Sequence, residues 1–255
     1  MGASGAKTDT TGAFGCAAAP IPAFPRLAAE DLRALAWLHA SERSPQVLAA
    51  LYANGFPATL TLVAADDPWL RAMDAALAAL FHAHCGGPQQ EPAPLPASSE
   101  DDLAADFAAI YLTHALRASP HESVWLDQDH LMLQEPTFAV RAFYARHGVQ
   151  AADWRQRADD HLTTELEFIA LLLEWGQLRE AARFLKTHLM AWLPQFAARV
   201  SQRAATPFYA ALAGLTLAAC EHCAARLPQV ATLPPVVAGS AAQTPAFMGC
   251  SAAPE

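Results

Sequence analysis

The residues whose types and spacing could perform chemistry are concentrated in DWRQRADDHLTTELEFIALLLEW, residues 153–175. Here Asp160 and His161 are followed by Glu165 and then by an apolar run. Since residues four apart share a helix face, His161 and Glu165 could supply two ligands to a metal ion. Two other interpretations stay open: an exposed intrahelical His–Glu pair, or a contact surface at a helix joint lined by Asp160 and His161.

A second candidate for metal chemistry is the CxxC pair Cys220 and Cys223, with His222 between them. A zinc site would need a partner pair, and the HAHC segment at 82–85 could provide one only through a tertiary contact. Free cysteine also packs as a small hydrophobe inside helices rich in Ala and Leu. A helical metal-binding protein or metal-dependent enzyme, built on His161/Glu165 and Cys220/Cys223, is therefore the alternative function.

Acidic and apolar residues are also mixed in HESVWLDQDHLM, residues 121–132. Such a stretch is either an irregular connection whose apolar residues fill the core or a lip that binds a peptide. Carboxylates such as Glu122 accept the guanidinium fork of an arginine, and an apolar groove beside Trp125 could take a helical segment. No GxSxG, P-loop or GxGxxG pattern occurs, so we expect neither a catalytic mechanism nor a cofactor.

Composition indicates what must position these residues. The 255 residues are 53% hydrophobic, and Ala and Leu dominate while β-branched residues are sparse, which favours a helical core. The net charge of −9 argues against a nucleic-acid partner and allows a basic one. We see no apolar run of the ~18 residues that stable membrane insertion needs. Five cysteines without a dense framework fit a reducing cytoplasm.

Capping signals divide the chain into helices. Ser44-Pro45, Asp67-Pro68 and Thr206-Pro207 predict helix starts, and Ser99 with Asp102 predicts a capping box. The pattern predicts a flexible leader at 1–25, a helical domain at 26–227 with a Pro-rich linker near 86–98, and a disordered tail at 228–255. Within the domain, the longest helix is expected at 153–175, and Pro194 is expected to kink or break the helix that contains it.

Four segments carry a family resemblance through their order and spacing: DFAAIYLTH (106–114), SPHESVWLD (119–127), EPTFAVRAFYARHGV (135–149) and RADDHLTTELEFIALLL (157–173). Together they resemble the TorD/DmsD/NarJ family of molybdoenzyme maturation chaperones. The fourth segment is similar to the family's Glu-Pro-x-Asp-His hinge motif. It keeps Asp160 and His161, but Arg157 and Ala158 stand where Glu and Pro are usual.

The resemblance implies an all-α protein, a single multi-helix bundle of the TorD/DmsD type, that is cytoplasmic and not an enzyme. Its partners would be the catalytic subunit of a molybdopterin oxidoreductase and the twin-arginine leader of that subunit. Such a chaperone assists cofactor insertion and delays export until the client is folded, and it is a monomer or a dimer that exchanges helical halves through the hinge. We expect the peptide-binding surface to be bordered by Phe107, Ile110, Tyr111, Glu122, Trp125, Asp160 and His161.

Overall fold

A computed structural model describes residues 23–85, 99–152 and 157–231 of the chain. This part is all-α, as expected: it contains no β-strand, and an isolated extended pairing joins His121 to His161. The helices are α1 (Ala23–Ala40), α2 (Pro45–Ala53), α3 (Pro68–Cys85), α4 (Glu100–Phe107), α5 (Glu122–Leu126), α6 (Glu135–Arg146), α7 (Leu162–Glu174), α8 (Leu178–Phe184), α9 (Met190–Arg203) and α10 (Pro207–Ala231).

Two wider π-helical turns extend these helices. One, Ala108–Leu112, continues α4, and the other, Leu185–Leu189, joins α8 to α9. The path from Leu178 to Arg203 is therefore helical throughout, and Pro194 lies inside α9 rather than ending a helix. A proline in the first turns of α9 removes a backbone donor, and the wider turn just before it relaxes the ladder of hydrogen bonds there.

Helix α7 is the central element of the bundle. Ten of its thirteen residues are buried, among them Leu166, Phe168 and Ile169. It packs along α1 on one side and against α8 on another, while α10 packs against α3, α8 and α9. Each large apolar side chain buried in this way stabilises the fold by about 1.5–3 kcal/mol. The polar residues at the start of α7 are therefore held by the best-packed helix of the protein.

The predicted caps are confirmed. The Ser44 side chain accepts the Val47 N–H, and the Asp67 carboxylate accepts the Trp69 N–H at 2.7 Å. The reciprocal pair between Ser99 and Asp102 is also present. Because a cap satisfies donors that have no partner within the helix, these local signals locate helix starts without reference to the tertiary fold.

The prediction of one helix over 153–175 is wrong over residues 157–161. Residues 153–156 lie outside the described chain, and α7 begins only at Leu162, with His161 as its N-cap. Residues just before it form a turn because their backbone groups bond to the segment before α5. Two large apolar side chains, Trp37 in α1 and Phe138 in α6, are 42% and 53% exposed.

The predicted domain boundaries can be compared with the structure only at residues 23–25 of the predicted leader and residues 228–231 of the predicted tail. Helix α1 begins at Ala23, inside the predicted leader, and α10 continues past Leu227 to Ala231 with Pro228 inside it. The remainder of the predicted leader, the Pro-rich linker and the rest of the tail lie outside the described residues.

Helix α10 is the one helix of the described chain whose length and composition would allow it to cross a membrane, over Pro207–Gln229. Of its most apolar stretch, 61% is buried within the bundle. This helix supplies core residues such as Leu212 and Leu215, which accounts for its hydropathy without a membrane.

Close packing of α10 on α3 depends on Gly214. A Cβ atom at this position would overlap the indole ring of Trp69. We expect Gly214→Ala to lower the free energy of unfolding by about 1–3 kcal/mol, because overpacking outweighs the gain of about 1 kcal/mol in helix propensity. Urea unfolding followed by circular dichroism measures the change.

A second replacement tests the cause of that loss. In the Trp69→Leu background the smaller side chain makes room for the new methyl group, so Gly214→Ala should then be close to neutral or stabilising. An equal loss in both backgrounds would show that contact with the indole is not what requires glycine.

Candidate functional site

Two short stretches of backbone meet at the centre of the molecule and form what we call the joint, residues 119–123 and 158–162. The Glu122 N–H donates to the Asp160 carbonyl at 3.0 Å, and the Leu162 N–H donates to the Pro120 carbonyl at 2.8 Å. These bonds pair His121 with His161 in antiparallel fashion. The joint thereby fixes the start of α5 against the start of α7, although the two are distant in sequence.

The side chain of Asp160 completes this pairing. It is fully buried, and its Oδ2 accepts the Ser123 N–H at 2.8 Å, so it caps the short helix α5 from another part of the chain. Its neighbour Asp159 faces the other way and binds the Arg141 guanidinium at 2.7 and 2.9 Å. The two adjacent aspartates therefore tie both α5 and α6 to the turn that precedes α7.

His161 is the N-cap of α7. Its Nδ1 accepts the Thr163 N–H at 3.2 Å, which places the ring proton on Nε2 in the neutral imidazole. Burial is the largest cause that lowers the pKa of His161 well below 6.5, and neighbouring His121 and Arg157 add to it. The ring is therefore neutral at pH 7, and it is not the partner of Glu165 that the four-residue spacing suggested.

Arg157 and Ala158, which stand where the family's hinge motif usually has Glu and Pro, form hydrogen bonds at the start of α7. The Arg157 guanidinium donates to the Thr163 hydroxyl at 3.1 Å, across the first turn of α7. Ala158 is buried, and its carbonyl accepts the His161 N–H at 3.2 Å. The turn is thus closed by hydrogen bonds in a chain that lacks both the usual glutamate and the usual proline.

A buried carboxyl cluster lies beneath the joint and consists of Glu122 and Glu165 with His188 and Trp192. His188 Nδ1 lies 3.1 Å from Glu122 Oε1, and Trp192 Nε1–H donates to Glu165 Oε2 at 3.4 Å. The other oxygen of Glu165 has no hydrogen-bond partner among the described residues. Both carboxyl groups are almost completely buried, so their charge state is decided by desolvation and by each other.

The two glutamates of the carboxyl cluster respond differently to burial. Desolvation raises the pKa of Glu165 well above 4.5, and the nearby charges of Glu122 and Asp160 raise it further. Desolvation also raises the pKa of Glu122, but contact with His188 opposes that rise. We infer that Glu165 holds the proton at neutral pH and that the negative charge of the pair resides on Glu122, beside His188.

Aromatic rings form a second part of the site, the aromatic stack. The rings of Phe107 and Tyr111 have centroids 4.8 Å apart, and both pack on Tyr209 of α10. The Tyr111 hydroxyl is hydrogen-bonded to His39, whose other ring nitrogen lies 2.8 Å from the Thr216 hydroxyl. The aromatic stack thereby brings α1, α4 and α10 together around Tyr111, which is half-buried.

A row of histidines connects the aromatic stack to the joint. The rings of His114 and His121 have centroids 5.9 Å apart, and those of His121 and His161 are 4.9 Å apart, each in an edge-to-face arrangement. Burial lowers the pKa of His121 to about 4, although the charge of Asp160 opposes this. The row therefore links the two parts of the site, and its two buried rings, His121 and His161, are neutral at pH 7.

Both π-helical turns supply side chains to this site. The turn at 108–112 carries Ile110 and Tyr111, and it closes with a bond of 2.8 Å from the Thr113 N–H to the Ala108 carbonyl. The turn at 185–189 carries His188, which reaches Glu122. Such turns are rare and are enriched at functional sites, because the extra residue turns side chains away from the regular helix face.

The structure brings the seven predicted peptide-binding residues into one region but buries most of them. Phe107, Ile110, Glu122, Asp160 and His161 are buried, whereas Tyr111 and Trp125 are half-buried. Trp125 is held by a bond from its Nε1–H to the Ser119 carbonyl, and the Arg199 guanidinium lies over its ring. Their direct contact with a peptide remains a prediction, and the buried members have structural partners in the closed protein.

The metal interpretation gains no support from the described residues, among which no group of three or more His, Cys, Asp or Glu side chains could hold an ion. Glu165 faces Glu122 and Trp192 rather than His161. Cys220 and Cys223 are buried, and burial raises the pKa of the Cys223 thiol to about 12. Protonated thiols are poor metal ligands. The side chains of His84 and Cys85 lie outside the described set.

Sequence reasoning missed three residues of the site: His39, His188 and Trp192. Each lies on an apolar helix face, where a polar ring needs a partner. The spacing of His188 and Trp192, four residues apart in α9 and the turn before it, could have indicated a shared polar contact. Their partners could not have been identified, because Glu122 and Glu165 come from other helices.

Comparison with known proteins gives consistent matches. The sequence profile of the family described as nitrate reductase delta subunit matches residues 66–198, more than half of the chain. Chaperone protein TorD of Vibrio cholerae serotype O1 is 34% identical over 143 residues, which cover 50% of this chain and 64% of that protein. Tat proofreading chaperone DmsD of Salmonella typhi is 33% identical over 124 residues, covering 47% and 61%. The aligned part thus spans less than two thirds of these relatives.

Protonation of Glu165 predicts a specific pH dependence. Because its folded pKa is raised, its contribution to stability is complete below about pH 4.5 and is lost as the pH rises toward the folded pKa. Glu165→Gln cannot ionise. Its free energy of unfolding, relative to wild type, should therefore increase above pH 4.5 by up to about 1.4 kcal/mol per pH unit. Urea unfolding between pH 4 and pH 8 measures the difference.

The exposed Glu221→Gln in α10 is the matched control, since it removes the same kind of charge without changing a buried group. Its difference from wild type should vary little with pH. If the difference for Glu165→Gln is equally flat, Glu165 is ionised in the folded protein and our assignment of the proton is wrong.

Proposed function

Because the chain belongs to the TorD/DmsD/NarJ family, we propose that it is a cytoplasmic, system-specific chaperone for a molybdopterin oxidoreductase. It binds the twin-arginine signal peptide of the catalytic subunit, the apoprotein, or both, assists cofactor insertion and delays export until the client is folded. The observation that carries this proposal is the family match over 66–198, which contains all seven predicted peptide-binding residues. The relatives named as TorD and DmsD chaperones support the same function.

The charge of the protein supports a basic partner. A net charge of −9 favours the approach of a peptide that carries two arginines and no acidic residues. Half-buried Tyr111 and Trp125 present aromatic surface against which an apolar peptide segment can pack. In this proposal the protein binds and releases a polypeptide and catalyses no covalent reaction.

Asp160 and His161 act in this proposal as positioning residues. The Asp160 carboxylate holds the N-terminus of α5, and α5 carries Trp125. His161, which directly follows Asp160 in the chain, caps α7 and holds its first turn. Losing either residue would loosen the surface that the peptide meets, without removing a direct contact in the closed protein. The same joint is where helical halves would separate if the chain exchanges them in a dimer.

The two roles that Asp160 could have are separated by two replacements. In Asp160→Asn the amide oxygen can still accept the Ser123 N–H, whereas Asp160→Ala leaves that donor uncapped. A lost cap of this kind is worth about 1–2 kcal/mol. We expect Asp160→Ala to weaken binding of a twin-arginine peptide about tenfold and Asp160→Asn to retain most of it.

Calorimetry with the full chain and a synthetic peptide, two adjacent arginines followed by about 12 residues of Leu, Ala and Val, measures these affinities. Alanine at both Asp160 and His161 should weaken binding further while far-ultraviolet circular dichroism stays unchanged. Equal loss in Asp160→Asn and Asp160→Ala would show that the charge itself contacts the peptide. No binding by wild type would contradict the binding of the leader, and the proposed function would then depend on the apoprotein alone.

A pull-down from the source cells tests the client directly. The tagged chain should recover the catalytic subunit of a molybdopterin oxidoreductase that still carries its leader, identified by mass spectrometry. Asp160→Ala is the matched negative control, and its recovery of that subunit should be reduced. Equal recovery by both proteins would argue that the joint has no part in client binding.

A further inference from the structure

The segment between α5 and α6 presents an unusual amount of apolar surface. We define this outer lip as residues 126–138. Three of its side chains, Leu131, Leu133 and Phe138, are each more than half exposed. Leu126 and Met132 are also exposed. Single exposed apolar residues need no explanation, but five within one short segment mark an interaction surface.

The backbone of the outer lip is strained in a way that maintains this exposure. Leu133 has φ of 60° and His130 has φ of 57°, in the left-handed region that non-glycine residues rarely adopt. For a bulky residue such as leucine, this conformation is unfavourable. The fold therefore keeps Leu133 in solvent at a conformational cost.

Local hydrogen bonds hold the outer lip in this shape. His130 Nδ1 lies 2.9 Å from the Val124 carbonyl of α5, and the Asp127 carboxylate accepts the Asp129 N–H at 3.0 Å. The Asp127 N–H in turn donates to the Ser123 carbonyl at 2.9 Å. Since Asp160 caps Ser123, the outer lip is attached through α5 to the joint. Its apolar side chains are thus displayed from a fixed position.

The charge of the outer lip identifies the kind of partner it fits. Between Arg117 and Arg141 the chain contains no lysine or arginine. Asp129 and Glu135 are exposed, and neither forms an ion pair with any residue that the structure describes. Exposed carboxylates beside exposed leucines complement a segment that is both apolar and arginine-bearing. A purely apolar partner would leave these carboxylates desolvated and unpaired.

We propose that the outer lip is the docking surface for the apolar stretch of an arginine-bearing leader peptide. This inference rests on the proposed function and adds the surface of first contact. Leu131, Leu133 and Phe138 bury the apolar stretch, while Asp129 and Glu135 receive its arginines. The buried residues of the joint then act by holding the outer lip, through α5, in its binding shape.

Leu133 gives the sharpest test, because binding and stability should change in opposite directions. Asparagine tolerates positive φ better than leucine and removes the apolar side chain. Leu133→Asn should therefore unfold at the same or a higher temperature than wild type. Together with Leu131→Ser, it should weaken binding of the synthetic twin-arginine peptide at least about fivefold, because two apolar contacts are lost. Calorimetry and differential scanning fluorimetry measure the two effects.

Val47→Ser is the matched control, since Val47 is 42% exposed and lies on α2, outside the outer lip. It should leave the peptide affinity unchanged. A second pair tests charge: Asp129→Asn with Glu135→Gln should weaken binding and make it less sensitive to salt. The exposed pair Glu100→Gln with Asp101→Asn, in α4, changes the net charge equally and should have a smaller effect.

Three further outcomes of these measurements would contradict the proposed docking surface. If wild type binds the peptide and the outer-lip variants bind it equally well, the docking surface is wrong and the proposed function stands. If wild type binds no twin-arginine peptide, the leader-binding part of the proposed function fails and this inference fails with it. If light scattering shows that wild type is a dimer and that Leu131→Ser with Leu133→Asn makes it a monomer, the outer lip is a self-association surface and the proposal is overturned.

Discussion

The hydrogen bond between the buried Asp160 carboxylate and the Ser123 N–H is the interaction on which the rest of the site depends. Hydrogen bonds offset the desolvation of a buried carboxylate, and here the backbone of α5 donates one to Oδ2 of Asp160, while Oδ1 has no partner among the described residues. In return, a helix of five residues, too short to form alone, acquires a cap and a fixed place against α7. The orientation of Trp125 and of the segment after it follows from this bond.

Around that bond the protein maintains an unusual density of buried ionisable groups. Glu165 is kept protonated by desolvation and by the charges of Glu122 and Asp160, while His161 and His121 are kept neutral. A group of this kind is stable only while the joint stays closed, because water would restore the ordinary pKa values. Opening the joint to water would therefore change the protonation of these groups as well as their packing.

Much of the fold could be predicted from the sequence because its signals are local. Ser44, Asp67 and Ser99 each satisfy donors within a few residues, so the helix starts that they mark are independent of the remaining chain. The helical class follows from the Ala and Leu content for the same reason. Errors arose where distant contacts outweighed local preference. The residues just before Leu162 were predicted to be helical, but their backbone groups form hydrogen bonds with residues 120–122 instead.

The sequence by itself determined the chemistry available at the site: the Asp160–His161 pair, the aromatic residues near Tyr111 and the acidic, apolar stretch after Glu122. Only the tertiary structure decided which of these face each other and which face water. Spacing suggested a pair between His161 and Glu165, whereas packing turns Glu165 toward Glu122 and Trp192. It also buries Asp160 and exposes Leu133. Burial and partner choice depend on residues far apart in sequence, and no local pattern encodes them.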